Sequence, residues 1–156
     1  MALAFDAGDA FAIDKPAGTP CPNLDFHSCK IHSDLKDKGF LGCIAYSCAG
    51  AGQHTIALYD GQSWQNDPDL LHAQMDTFRH LNRLHALLEL LTAASILALP
   101  KDVEQTRLDL MEQLFPGQLT QQTAQTLAVG PLPARVHDYL RSLSKFAPNA
   151  DNCERS

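Results

Sequence analysis

PDLLHAQMDTFRHLNRLHALLELLTAASILALP, residues Pro68 to Pro100, decides the fold. Leu71, Met75, Phe78, Leu81, Leu84, Leu88 and Leu91 recur at steps of three and four, the period of an α-helix. In the second half Leu87, Leu90, Ala94 and Leu97 add another apolar stripe. A helix apolar on most sides must be covered on most sides, so this stretch predicts one long central helix. Asp67 is a suitable N-cap, Pro68 suits the first helical position, and Pro100 sets the end near Leu99. His72, Asp76, Arg79 and Arg83 fall along one face. Such a row reads as the solvated side of an amphipathic helix, with a polar lining for a ligand as the other reading.

Downstream, three shorter helices are expected. Lys101 to Phe115 buries Val103, Leu110, Met111 and Leu114, Gln118 to Val129 offers Leu119, Leu127 and Val129, and Pro133 to Phe146 carries Val136, Tyr139, Leu140, Leu143 and Phe146. The polar tail beyond Pro148, with Cys153, reads as frayed and dispensable. The fold class is therefore mainly α. A helical bundle (residues 67–147) surrounds one long central helix and carries an irregular N-terminal Cys-rich module (residues 16–60), within one domain over 1–156.

Upstream the chain changes character. Residues 1 to about 19 read as an extended or irregular arm, with Phe5, Phe11 and Ile13 as packing points. Cys29 to Lys38 has room for a short helix, with Ser28 as N-cap and Gly39 as the stop. Phe40 to Cys48 reads as a short strand or a tight loop, and Gln53 to Tyr59 is too short for periodicity to separate strand from helix. Asp60-Gly61 marks a turn.

Four of the 5 cysteines fall in this upstream part, spaced C-x7-C-x2-H-x10-C-x4-C over Cys21, Cys29, His32, Cys43 and Cys48. Thiolates and imidazoles are the preferred donors for zinc, and thiolates for iron–sulfur clusters. The intervening loops are short, so bringing the donors together costs little closure entropy. Two other uses compete: small buried hydrophobes, and a redox or nucleophilic thiol. Gly50-Ala51-Gly52 reads as a tight turn rather than an anion cradle, since it lacks the lysine and hydroxyl of a phosphate loop.

The run C-P-N-L-D-x3-C-K-I-H-x2-L-x3-G-F-x-G-C-x2-Y-x-C-x-G-A-G-Q, from Cys21 to Gln53, resembles the cysteine-rich leader of some bacterial pentapeptide-repeat proteins. Its first part is also similar to the C-P-x-L…C-x-I-Y…C segment of the zinc- or iron-chelating YkgJ-type family. No pentapeptide repeats occur in this chain, the upstream cysteines of the YkgJ-type pattern are missing, and His32 stands where that pattern has tyrosine. The resemblance implies metal chelation through Cys21, Cys29, Cys43 and Cys48 and supplies no reaction; the spacing itself leaves His32 open as a substitute ligand.

The formal net charge of -6 and the scatter of basic residues argue against a nucleic-acid partner or an anionic-membrane patch. No secretory signal or membrane span is legible, so a cytoplasmic location is expected, where thiols stay reduced. The expectation is a small metal-binding protein holding zinc or an iron–sulfur cluster, with a structural, regulatory or partner-binding role. A thiol- or iron-dependent redox enzyme and a helical protein-interaction adaptor are its rivals.

Overall fold

A computed structural model describes residues 3–26 and 28–146; Cys153 and the tail beyond Pro148 lie outside the described residues. The long periodic stretch forms one helix, α3, over Leu70–Ala93. Asp67 accepts a 3.1 Å hydrogen bond from the Asp69 amide through its carboxylate, but the helix begins at Leu70, so Pro68 lies in the turn before it rather than at its first position. The far end comes earlier than Pro100 suggests. After Ala93 the chain tightens into a 3-10 turn, Ala94–Ile96, and Leu97 is extended. Pro100 restricts only Leu99, so the proline sets an outer limit and does not account for the earlier stop. Leu81, Leu84 and Leu91 are fully buried, each contributing about 1.5–3 kcal/mol of apolar burial. His72, Asp76, Arg79 and Arg83 are exposed, the solvated face that the periodicity anticipated.

The fold is mainly α, and the chain divides into two compact units, residues 1–78 and 79–156. The first holds a two-stranded antiparallel hairpin, β1 (Leu24–Asp25) and β2 (Ser28–Cys29), and two short helices, α1 (Leu41–Ala45) and α2 (Ala51–Ala57). Its N-terminal arm is ordered: Phe5 pairs with Lys15 in an antiparallel bridge, and the Phe5 and Phe11 rings stack at 4.4 Å. Three local expectations change here. Cys29 to Lys38 carries a strand end and a 3-10 turn, His32–Asp34, instead of an α-helix, although Gly39 does end it with φ 76°. Phe40 to Cys48 contains the helix α1, not a strand, because Gly42 lets that segment sit directly on the Phe11 ring. Gln53 to Tyr59 resolves as most of α2, with Gly50 in a left-handed conformation at its N-cap.

The second unit contains most of α3 with α4 (Lys101–Leu114), α5 (Gln121–Val129) and α6 (Leu132–Ser142). Leu110, Leu114, Val136 and Tyr139 are buried as the stripes predict. On α5 the buried positions are Ala124 and Ala128, while Val129 is 66% exposed. Small residues face inward there, so the apolar residue at the helix end was a poor guide. Thr120 caps α5 by accepting from the Thr123 amide at 3.1 Å. Arg107 is buried on the inward face of α4, beside Leu110 and Leu114.

Candidate metal centre and apolar cavity

The four cysteines of the Cys-rich stretch are free and half-buried. Cys21 sits in the turn that enters the hairpin, its carbonyl accepting from the Leu24 amide at 2.9 Å. Cys29 is on β2, directly across from Leu24. Cys43 lies in the middle of α1. These three come from separate segments, and two of them act on the third. Burial pushes the Cys43 thiol up, and the thiolates of Cys21 and then Cys29 push it further. The cause is repulsion: a third negative charge is disfavoured beside two others.

Cys48 is placed differently. Its thiol lies 4.0 Å from the Gln53 side-chain oxygen and faces the wall of an apolar cavity. Burial raises the pKa of the neighbouring Tyr46 hydroxyl, and the charge of Cys48 adds to that shift. His32 is exposed at the start of its 3-10 turn. Among the described residues no three His, Cys, Asp or Glu side chains already converge on a common metal position. The thiols are neighbours rather than a finished shell. As a donor set, three soft sulfurs on a hairpin and an adjacent short helix suit a thiophilic cation.

One participant was not foreseen. Lys15 is only 4% exposed. Its ammonium donates to the carbonyls of Thr19 at 2.7 Å and Pro16 at 3.2 Å, and lies 4.8 Å from the centre of the Phe5 ring. Burial lowers its pKa, while the charge of Cys21 opposes that shift. A fixed cation thus stands beside the thiol cluster. The available signal was that Lys15 carries the lone positive side chain of the first twenty residues.

The same unit holds a cavity of about 710 Å³. Leu24, Phe26, Ile56, Trp64, Met75 and Phe78 form its apolar lining. Gln74, 4% exposed, accepts from the Trp64 amide at 3.3 Å and donates to the Gln62 carbonyl at 2.7 Å. Both ends of that amide are therefore used in fixing the Trp64 segment on α3. No periodicity argument finds this cavity, because its lining comes from the N-terminal arm, a strand and its turn, two helices and loops.

No family model and no solved structure matches the chain. It is similar to YybG of Bacillus subtilis. The two are 35% identical over 151 residues, and YybG is an uncharacterized protein. The match covers 94% of this chain and 53% of YybG, so the chain spans about half the length of that relative. Among the described residues no helix is long and apolar enough to cross a membrane.

Proposed function

We propose that this chain is a small metal-binding protein in which Cys21, Cys29 and Cys43 supply three thiolates to a zinc ion or an iron–sulfur cluster, with Cys48 or His32 as the fourth ligand. What supports this reading is the concentration of four half-buried free thiols in one short stretch, Cys21 to Cys48, together with the charges of Cys21 and Cys29 that add to the upward push on the Cys43 thiol. A thiol such as Cys43, whose ionisation is disfavoured by burial and by nearby negative charge, is relieved by a bound cation. Thiolates around zinc leave a net negative charge, and the buried Lys15 ammonium beside Cys21 offsets part of it. A closed shell of protein ligands serves structure, so the group's chemistry here is to fasten the hairpin to α1. The proposal includes a reducing, cytoplasmic compartment, in which thiols stay available as metal ligands.

The redox alternative fares less well at Cys43. The reacting species of a thiol is its thiolate, and Cys43 is pushed toward the neutral form. Titration of the full chain with cobalt(II) tests the reading, because thiolate-to-cobalt charge transfer reports sulfur ligation. A saturable thiolate band is expected. Cys21→Ser, Cys29→Ser and Cys43→Ser should each weaken binding by roughly ten- to a hundredfold, the usual scale for a damaged metal site. Whichever of Cys48→Ser and His32→Ala shows the same loss identifies the fourth ligand. A wild-type chain without the band, or Cys29→Ser titrating like wild type, would remove the proposal.

A further inference from the structure

Apart from Cys48, the lining of the apolar cavity consists of residues that the metal reading does not use. We infer that it is a binding site for a small uncharged molecule with a planar aromatic body, and that Phe26 is its principal recognition residue.

Size and polarity come first. A volume of about 710 Å³ falls in the range of small-molecule pockets. The described lining contains no Asp, Glu, Lys or Arg, although the chain as a whole is charged. An ionic ligand would surrender its hydration there and meet no countercharge, so a neutral one is selected. Shape comes next. Phe26, Trp64 and Phe78 offer three aromatic rings, and Met75 adds a polarisable thioether that packs well against ring edges. Gln74 has already spent both ends of its amide within the protein, so the Trp64 wall is organised before any ligand arrives.

Phe26 is the decisive residue. It is the first residue of the two-residue connection between β1 and β2, where tight hairpin turns require positive φ and favour Asn, Asp or Gly. Phe26 takes φ 48° there, a conformation strained for a bulky side chain. Its ring is nevertheless 82% exposed, so packing within the protein does not repay that strain. The Gln65 side-chain amide donates to the Phe26 carbonyl and holds the turn against the Trp64 segment. A strained backbone that presents an unburied aromatic ring at the mouth of an apolar cavity is the mark of a recognition residue.

Trp64, the chain's 1 tryptophan, provides an internal reporter in the wall. The uncharged fluorophore N-phenyl-1-naphthylamine, titrated into the full chain, should bind saturably and quench Trp64 by energy transfer. Its sulfonated analogue 1-anilinonaphthalene-8-sulfonate should bind at least tenfold more weakly. Phe26→Gly suits the positive φ and keeps the backbone carbonyl that Gln65 holds. It should leave the melting temperature and metal content unchanged or improved while weakening the neutral probe at least tenfold. Gly52→Leu, whose added Cβ meets only the Cys48 sulfur at 3.7 Å, should fill the cavity and abolish the quenching. No saturable binding of the neutral probe, equal affinity for the two probes, or unchanged affinity in Phe26→Gly would each overturn the inference.

Discussion

Gly42 and Cys43 are adjacent and answer to different constraints. A Cβ built on Gly42 would meet ring atoms of Phe11 at 2.3, 2.6 and 2.9 Å, distances that no relaxed contact permits. That ring is itself stacked on the buried Phe5, so yielding to the new carbon breaks the stack. Gly42→Ala therefore sets two effects against each other. Alanine is the better helix former by roughly 1 kcal/mol, whereas overpacking costs about 1–3 kcal/mol. The clash should win, and the melting temperature should fall. Combining Gly42→Ala with Phe11→Ala should recover part of the loss, and a more stable Gly42→Ala single variant would show that α1 does not rest on the arm. The close fit also explains why Phe40 to Cys48 reads wrongly from sequence. Phe40, Ile44 and Tyr46 have strand-favouring side chains, but a short apolar run takes whatever form its neighbours impose.

Among the elements, α4 shows a charged residue serving as core. Arg107 falls on the inward face with Leu110 and Leu114, a position where a stripe analysis expects an aliphatic side chain. Its guanidinium meets the Glu104 carboxylate with two bonds, at 2.7 and 2.8 Å, and donates to the Leu91 carbonyl at 3.1 Å. Leu91 lies in the last turn of α3, where carbonyls lack helical partners, so Arg107 closes that end. Arg107→Ala should destabilise the protein by about 2 kcal/mol, through lost charged hydrogen bonds and lost packing of the stem. Equilibrium urea unfolding measures this. The pH dependence follows from Glu104, whose pKa is lowered chiefly by its hydrogen bond to Arg107. A depressed carboxylate contributes stability that is present above its unfolded value of about 4.3 and is lost as pH falls through the lower folded value. Glu104→Gln should thus differ from wild type at neutral pH and converge with it in acid. A difference that persists unchanged in acid would contradict the assigned pair.

For the whole molecule, legibility follows the length of each element. The 24 residues of α3 repeat their pattern often enough for periodicity to be decisive, and the downstream helices were placed to within a few residues. The first unit was legible in its chemistry but not in its form. Cysteine spacing drew attention to Cys21, Cys29, Cys43 and Cys48, which are free and half-buried in the fold, but it did not show how they are arranged. The same spacing gave no hint that Cys48 faces an apolar cavity or that Lys15 is buried beside Cys21. Contacts between short, distant segments are set by packing, which a linear pattern does not encode. Metal content bears most directly on the central claim, the thiol cluster as a metal site. Zinc, iron and acid-labile sulfide should be determined per chain in protein purified without added metal or chelator, for wild type and for the Cys29→Ser/Cys43→Ser double variant. Stoichiometric zinc, or iron with matching sulfide, is expected in the wild type and should be lost in the double variant. A folded wild-type chain without stoichiometric metal, or a double variant that retains it in full, would contradict the account.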